Sequence, residues 1–503
     1  MIDVMFKSLG DLLSNPQTMG LMLIAVLIGL IVGATPGIGG RLSIALAIPF
    51  GFGMDMTQGA VFLLTMHAVN GTSGQISSIM FGVPGDGDDA ATTIDGYPMA
   101  KKGEAGRALG ASITASGVGG IIGAIVFAVM IPVLEPIVLA FSPAEFFLLA
   151  ILGITFIAFL AGGENIFKGM IVGLFGMILA TIGMDPQTGT ARFAGDNLFL
   201  WDGISLVTCV LALFAVPEMI TLAVKGGSIA AISIDNVKFS YRQIFEGVRE
   251  VPRHWFLALR TSIIGALIGM VPGLGGSAAA WLCYGHAVQS SKTPERFGHG
   301  AVEGVIAPET ASNAKEGGSL LPTLFFGIPG SSGMAVMMGA FLILGIQPGP
   351  AMITQHLDLV WTLIWALVVG NLIAVTFLLF ITRWVAVLTF INATMLVPFI
   401  IVLVVIGAYV NEGQWENLLI LVGMSMIGYA MLRANWPRAP FVIGLVLGRI
   451  AEESLHKALD LWGFSFFTRP LSLVLIGMII ATIAFAIYRS RQPAAFDPTQ
   501  VSV

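Results

Sequence analysis

The chain has 503 residues, of which 56% are hydrophobic and only 11% charged, with a formal net charge of -5. Several apolar runs reach the roughly 20 residues that a spanning helix needs, so the composition excludes an ordinary soluble domain and reads as a polytopic membrane protein set in a lipid bilayer. No basic cluster with interleaved aromatics points to nucleic acid, and the two cysteines, Cys209 and Cys283, both lie in apolar runs, which argues against a disulfide framework.

In chain order, residues 2–14 place Phe6, Leu9, Leu12 and Leu13 on one face and read as a short amphipathic helix at the membrane interface. The first apolar run, near 19–35, lacks a strongly basic leader and continues into a Pro-Gly motif, so it is expected to stay in the protein. Apolar segments follow near 58–81, 108–132, 144–161, 169–184 and 203–224. A second amphipathic stretch, 241–251 with Tyr241, Ile244, Phe245 and Val248, opens the other half. Apolar segments then recur near 255–271, 319–346 (broken), 360–381, 393–410, 417–432, 437–450 and 471–488. The expected fold is all-α, in two repeat halves, 1–230 and 231–503, each carrying additional spanning helices.

Two motif pairs carry the repeat. Gly33-Ala-Thr-Pro-Gly-Ile-Gly-Gly40 returns as Gly269-Met-Val-Pro-Gly-Leu-Gly-Gly276, a step of 236 residues, and Phe81-Gly-Val-Pro-Gly85 returns as Phe326-Gly-Ile-Pro-Gly330, a step of 245. Each interrupts an apolar segment, and matched interruptions in two halves of a membrane protein point to a transporter's substrate site. Proline and glycine end one helix and free backbone groups that must be satisfied within the membrane. The helix that restarts aims its free N–H groups and positive dipole end at the gap, which suits a carboxylate. Gly37, Gly39, Gly40, Gly273, Gly275 and Gly276 are therefore candidate substrate-binding positions.

Beside the first break, His67, Asn70, Gly71, Gly74, Ser77 and Ser78 recur at helical spacing and form a small polar face. Glu309, Ser312, Asn313, Glu316 and Gly317 form a second such face after Pro308. Polar groups inside a membrane face a cavity or one another, which makes Asn70 and Asn313 candidates for contacting a substrate or a cation. At the second breaks, Ser331 and Ser332 stand where the first half has Asp86 and Gly87. An ionised aspartate at a helix start repels an anion, whereas hydroxyls leave the dipole open to one. The expectation is that Ser331 and Ser332 hold substrate and that Asp86, Asp88 or Asp89 acts on a coupling cation or proton, with helix capping as the alternative role of Asp86.

Lysine and arginine mark cytoplasmic loops. They gather at Lys225, Lys238, Arg242, Arg249 and Arg253 between the halves, at Lys101, Lys102 and Arg107, at Arg433 and Arg438, and at Arg489 and Arg491, whereas 347–358 holds none. Counting crossings from these anchors puts corresponding loops on opposite sides, an inverted-topology repeat with Pro-Gly broken or re-entrant helices, an external amino terminus and a cytoplasmic carboxyl terminus.

The run from Phe81-Gly-Val-Pro-Gly85 through Ala91-Thr-Thr-Ile-Asp-Gly-Tyr-Pro-Met-Ala-Lys-Lys-Gly103 to Gly106-Arg-Ala-Leu-Gly110 closely resembles the large membrane subunit of the tripartite tricarboxylate transporters. So does Gly304-Val-Ile-Ala-Pro-Glu-Thr-Ala-Ser-Asn-Ala-Lys-Glu-Gly-Gly318, continuing to Gly327-Ile-Pro-Gly330 and Gln347-Pro-Gly-Pro350. The resemblance implies a secondary transporter of the bacterial inner membrane. It would work with a small four-helix membrane subunit and a periplasmic substrate-binding protein that delivers an organic carboxylate, driven by a sodium or proton gradient. No cofactor or metal beyond a sodium ion is implied. The chain departs from the family in having Asn70-Gly71-Thr72 for the usual Tyr-Gly-Gly, and Asp86, Asp88 and Asp89 for small residues.

Two other classes compete. Gly85-Asp86-Gly87-Asp88 fits a Gly-x-Gly-Asp protease signature, but none of the six tyrosines is followed by the Asp that the paired-carboxylate chemistry needs. Hydrolase and Walker motifs are absent as well, so no enzyme is expected. A passive anion channel is the remaining alternative, distinguished by flux that ignores an ion gradient.

Overall fold

A computed structural model describes residues 1–35, 40–51, 53–84, 86–161, 166–185, 187–225, 240–272, 274–388, 393–410 and 412–490. Gly37, Gly39 and Gly273, together with Gly85, Lys238 and Arg491, lie outside the described residues. The rest is helical except for one two-stranded antiparallel ribbon, in which Gly183–Met184 pairs with Ala191–Arg192.

The first half opens with α1 (Ile2–Ser14), α2 (Pro16–Ala34), α3 (Gly40–Gly51), α4 (Met56–Phe81), α5 (Ala90–Lys101) and α6 (Ala105–Leu139). It continues with α7 (Pro143–Ala161), α8 (Ile166–Ala180), α9 (Leu206–Val210) and α10 (Val216–Lys225), the last two joined by a π-helical turn at Leu211–Ala215. The second half repeats that order as α11 (Tyr241–Arg253), α12 (Trp255–Met270), α13 (Gly275–Ser290), α14 (Glu303–Phe326) and α15 (Ser332–Ile343). The short α16 (Ala351–Thr354) leads into α17 (Leu357–Leu388), then α18 (Ala393–Val410), α19 (Glu416–Arg433), α20 (Ala439–Trp462) and α21 (Pro470–Ser490).

Local chemistry places the ends. Asn15 accepts from the N–H groups of Gln17 and Thr18, with Pro16 in the first turn of α2, and Asp55 accepts from Gln58 N–H to start α4. α4 and α14 both stop at a left-handed glycine, Gly82 at φ 70° and Gly327 at φ 66°, a step of 245 residues apart.

The repeat steps reappear as contacts. Gly29 and Gly33 of α2 lie against the carbonyls of Met66 and Asn70 in α4, while Gly265 and Gly269 of α12 lie against those of Ala311 and Lys315 in α14. The glycines are 236 residues apart and their partners 245, the same two steps that separate the Pro-Gly motifs. A Cβ at any of the four would overlap those atoms, so the helices approach closely only because these residues are glycine.

The halves also exchange elements. α6 packs on α14 and α17 on α4. α11 lies on α6, where Arg107 meets Glu250 at 2.8 Å, and α1 lies on α17, where Trp365 Nε1 donates to Met5 O at 2.9 Å. Further out, α7 and α8 pack on α20, and α18 and α19 on the α9–α10 segment. The start of α4 and the end of α14 share one level: Gly59 rests on Leu344, and Gly349 N–H donates to Leu324 O. Their other ends meet where Asp95 of α5 accepts from Gly300 and Ala301 N–H, both at 2.8 Å. The two helices therefore run in opposite directions.

This is an all-α polytopic membrane protein. Ile125, Val129 and Val133 of α6, Ile171, Leu174 and Ile178 of α8, and Leu419, Val422 and Met426 of α19 are all more than half exposed, a belt that lipid would cover. Among the described residues, α2, α6 and Leu357–Thr382 of α17 are long and apolar enough to cross a bilayer, and Ala439–Thr468 with Pro470–Ala484 form a bent pair at 69°.

The contact geometry yields a stability contrast. Gly265→Ala should lower the thermal stability of the detergent-purified protein by about 1–3 kcal/mol through overpacking. Gly423→Ala, whose Cβ meets nothing within 4 Å, should be neutral or stabilise by up to about 1 kcal/mol. Equal melting temperatures for the two variants would contradict the close helix crossing.

Candidate functional site

The second-half breaks come together at the centre. α12 ends before Pro272, and α13 restarts at Gly275, whose φ of 68° only glycine adopts cheaply, with no side-chain cap on its first N–H groups. Gly275 faces Ser331, 3.9 Å from an added Cβ, and Gly330 packs 2.7 Å from Gly269 O by the same measure. Ser331 caps α15 by accepting from Met334 N–H at 3.1 Å, and Ser332 begins the helix.

The uncapped start of α13 receives a carboxylate from the other half. Asp88, in the short 3-10 turn Gly87–Asp89, accepts from Ser277 Oγ at 2.9 Å, and its other oxygen lies 3.3 Å from Lys315 Nζ. A Cβ on Gly276 would overlap that carboxylate and stand 2.8 Å from Lys315 Cε. Lys315 Nζ also meets Glu316 at 2.7 Å, and Glu316 reaches His67 Nε2 at 3.3 Å. His67 in turn lies against Gly333 at the start of α15. The result is a chain, Ser277–Asp88–Lys315–Glu316–His67, in which Lys315, Glu316 and His67 are all buried. Burying so many charges is costly unless each is paired, as they are here. Gly71, one turn along α4 from His67, is exposed with nothing within 4 Å of an added Cβ, so this polar face borders open space.

The other aspartates are held locally. Asp86 accepts from Gly87 N–H at 2.7 Å and its own N–H donates to Asp89 at 3.1 Å, a reciprocal cap. Asp89 is buried against Gly74, and Glu309 accepts from Thr92 Oγ1. Asp95 also accepts from Tyr284 Oη at 2.9 Å, fastening α5 to α13 and α14.

The two asparagines separate. Asn70 donates to Ser43 Oγ at 2.6 Å, tying α4 to α3, and it stands one repeat step before Lys315. The first-half break is thus neutral where the second is charged. Asn313 turns away from the charged chain into an uncharged group with Thr72, Ser116 and Asn371. The structure therefore brings Gly275, Gly276, Ser331 and Asp88 together and leaves Asn70 and Asn313 apart. Gly40 begins α3 in the first half. Sequence reasoning missed Lys315, Ser277, Thr72, Ser116 and Asn371. The repeat step itself carried the signal for Lys315, because it aligns that residue with Asn70. Among the described residues, no group of three or more His, Cys, Asp and Glu side chains is placed to hold a metal ion.

A family model described as the tripartite tricarboxylate transporter TctA family matches residues 19–443. The chain belongs to this family. It is 32% identical over 478 residues, 93% of its length and 92% of the other, to a protein of Agrobacterium vitis described as an uncharacterized 52.8 kDa protein in the TAR-I ttuC' 3' region. A second Agrobacterium vitis protein, described as an uncharacterized protein in the TAR-II ttuC' 3' region, is 37% identical over 231 residues, 45% of this chain and 95% of that one. No solved structure matches. Membership of a tripartite transporter family fits a buried polar site of this kind better than catalysis, and it implies partner subunits and a transported substrate.

Because Gly276 is what allows Asp88 to reach the start of α13, Gly276→Ala should push the carboxylate out and cut transport at least about tenfold while the protein still inserts. Transport at the wild-type rate would show that this approach has no functional role.

Proposed function

We propose that this TctA-family chain is the membrane carrier of a tripartite system that imports an organic carboxylate across the bacterial inner membrane. A periplasmic binding protein and a small four-helix membrane subunit serve it, and a sodium or proton gradient drives it. The observation that carries the reading is the seat of Asp88. A carboxylate lies between the open start of α13 and the buried ammonium of Lys315, so the site already holds the chemical group it would transport. On this reading a substrate carboxylate takes the place of Asp88 at Lys315 and Ser277, with Gly275 and Ser331 lining the same gap, and the released aspartate turns to the coupling cation or to water.

The arrangement of the halves supports alternating access. Residues 1–230 and 231–503 act as two repeats, and the opposed directions of α4 and α14 suit an inverted pair around one central site. Lys101, Lys102, Arg107, Arg249 and Arg253 collect at the end where α4 stops and α14 starts, which suits a cytoplasmic face. At the opposite end a cavity of about 560 Å³, lined in part by Asp202, Gln347, Arg449, Glu453 and Lys457, has room for a small carboxylate to enter. The amino terminus then lies in the periplasm and the carboxyl terminus in the cytoplasm.

Vesicles reconstituted with the partner proteins and given sodium and proton gradients separately test the carrier. Labelled di- and tricarboxylates should accumulate only under a gradient, and Lys315→Met should lower uptake at least about 100-fold, in line with the loss of a buried charged partner. Unimpaired uptake by Lys315→Met would remove the proposed anion seat. Orientation is read with impermeant thiol reagents, since Cys209 and Cys283 are both buried. Ser240→Cys should react only from the cytoplasmic side and Gln355→Cys only from the periplasmic side. Reaction of both from one side would refute the inverted arrangement.

A further inference from the structure

Asn313 donates its amide to more partners than it has hydrogens. Its Nδ2 lies 2.7 Å from Asn371 Oδ1, 2.8 Å from Ser116 O, 3.0 Å from Ser116 Oγ and 3.3 Å from Thr72 Oγ1. An amide nitrogen has two hydrogens, so at most two of these four oxygens are satisfied at once. The amide's own Oδ1, on a residue only 4% exposed, has no hydrogen-bond partner. Thr72, Ser116 and Asn371 are at most 1% exposed, so water does not relieve the shortage. Five oxygens and one crowded NH₂ group therefore share a dry crossing point of α4, α6, α14 and α17, with two helices from each half.

We propose that this cluster is a sodium site, with Thr72 Oγ1, Ser116 O, Ser116 Oγ, Asn371 Oδ1 and Asn313 Oδ1 as its ligands. A half-turn of the Asn313 side-chain amide exchanges its nitrogen and oxygen. The fifth oxygen then faces the other four, an arrangement that is repulsive unless a cation lies among them. The spacing suits such an ion. Thr72 Oγ1 stands 3.3 Å from Ser116 Oγ and 3.4 Å from Asn371 Oδ1. Adjacent oxygens around an ion with metal–oxygen distances of about 2.4 Å, the calcium range that the equally sized sodium ion shares, are about 3.4 Å apart. Ligand charge selects between those ions. Calcium and magnesium sites draw on carboxylates, and none is among the groups bonded to this cluster, whereas neutral oxygen dipoles match the smaller dehydration cost of a single charge.

The site rests on the reading of the chain as a coupled carrier and supplies its driving ion. Asn313 lies two residues from Lys315 and Thr72 is adjacent to Gly71, so an ion bound here would clamp the helices that carry the charged chain. Melting of the full-length protein in detergent, in sodium chloride against choline chloride at equal ionic strength, tests it directly. Sodium should raise the melting temperature saturably. Thr72→Val, which keeps the shape but loses the oxygen, should raise the half-saturating sodium concentration at least about tenfold, and Thr72→Ser should stay within about threefold of wild type. If Thr72→Val does not fold, Ser116→Ala takes its place, and the wild-type comparison stands by itself. Identical wild-type melting in the two salts, or an unshifted half-saturation in Thr72→Val, would overturn the site. Uptake driven by protons with no sodium response would also overturn it while leaving the carrier. Sodium-dependent melting without carboxylate uptake in any gradient would support the ion site and remove the carrier.

Discussion

Opening a helix inside an apolar layer exposes N–H and C=O groups that lipid cannot satisfy, and the rest of this molecule is organised around that cost. At the second-half breaks the groups turn inward. Ser331 caps α15, and the start of α13 faces Asp88. The glycines of α12 bring its backbone against α14. The broken backbone is thereby enclosed by α4, α6, α14 and α17. Charge is concentrated in the one place where an unfilled helix start offsets it.

Similarity between the halves and difference between them serve separate ends. The glycine crossings are matched residue for residue, so both halves build the same helical frame. The chemistry mounted on the frame is not matched. Asn70 occupies the position of Lys315, and Gly71 that of Glu316. A single charged site placed off the symmetric centre avoids two competing anion seats and leaves the first half to contribute Asp88 across the interface.

Much of the frame was legible in the sequence. The Pro-Gly motifs, their two steps and the long apolar runs follow from periodicity and from the small set of residues that can break a helix in lipid. Hydropathy alone passes over α3, α5 and α13, which are too short and mixed to stand out, although the restart after each glycine pair called for helices there. α14 begins at Glu303, ahead of Pro308, because Asp95 from the other half holds the N–H groups of Gly300 and Ala301, a contact 205 residues away in sequence. Lys315 was overlooked for a related reason. A lysine beside a glutamate reads as a solvated pair, and only the arrival of Asp88 and His67 from the first half makes it a buried one. Asn70 and Asn313 looked equivalent on helical spacing, yet a register difference of two residues within the repeat sends one to α3 and the other to the four-helix crossing.

The exchange of surface helices has an implication for how such a chain arises. α1 finds its partner in α17, and α11 finds its partner in α6, so neither half covers its own long helix. A half-length ancestor would have had these same faces bare and would have been stable only when two copies lay head to tail, each lending its amphipathic helix to the other. Joining the copies into one polypeptide then removed the dependence on concentration and allowed the two sets of side chains to diverge.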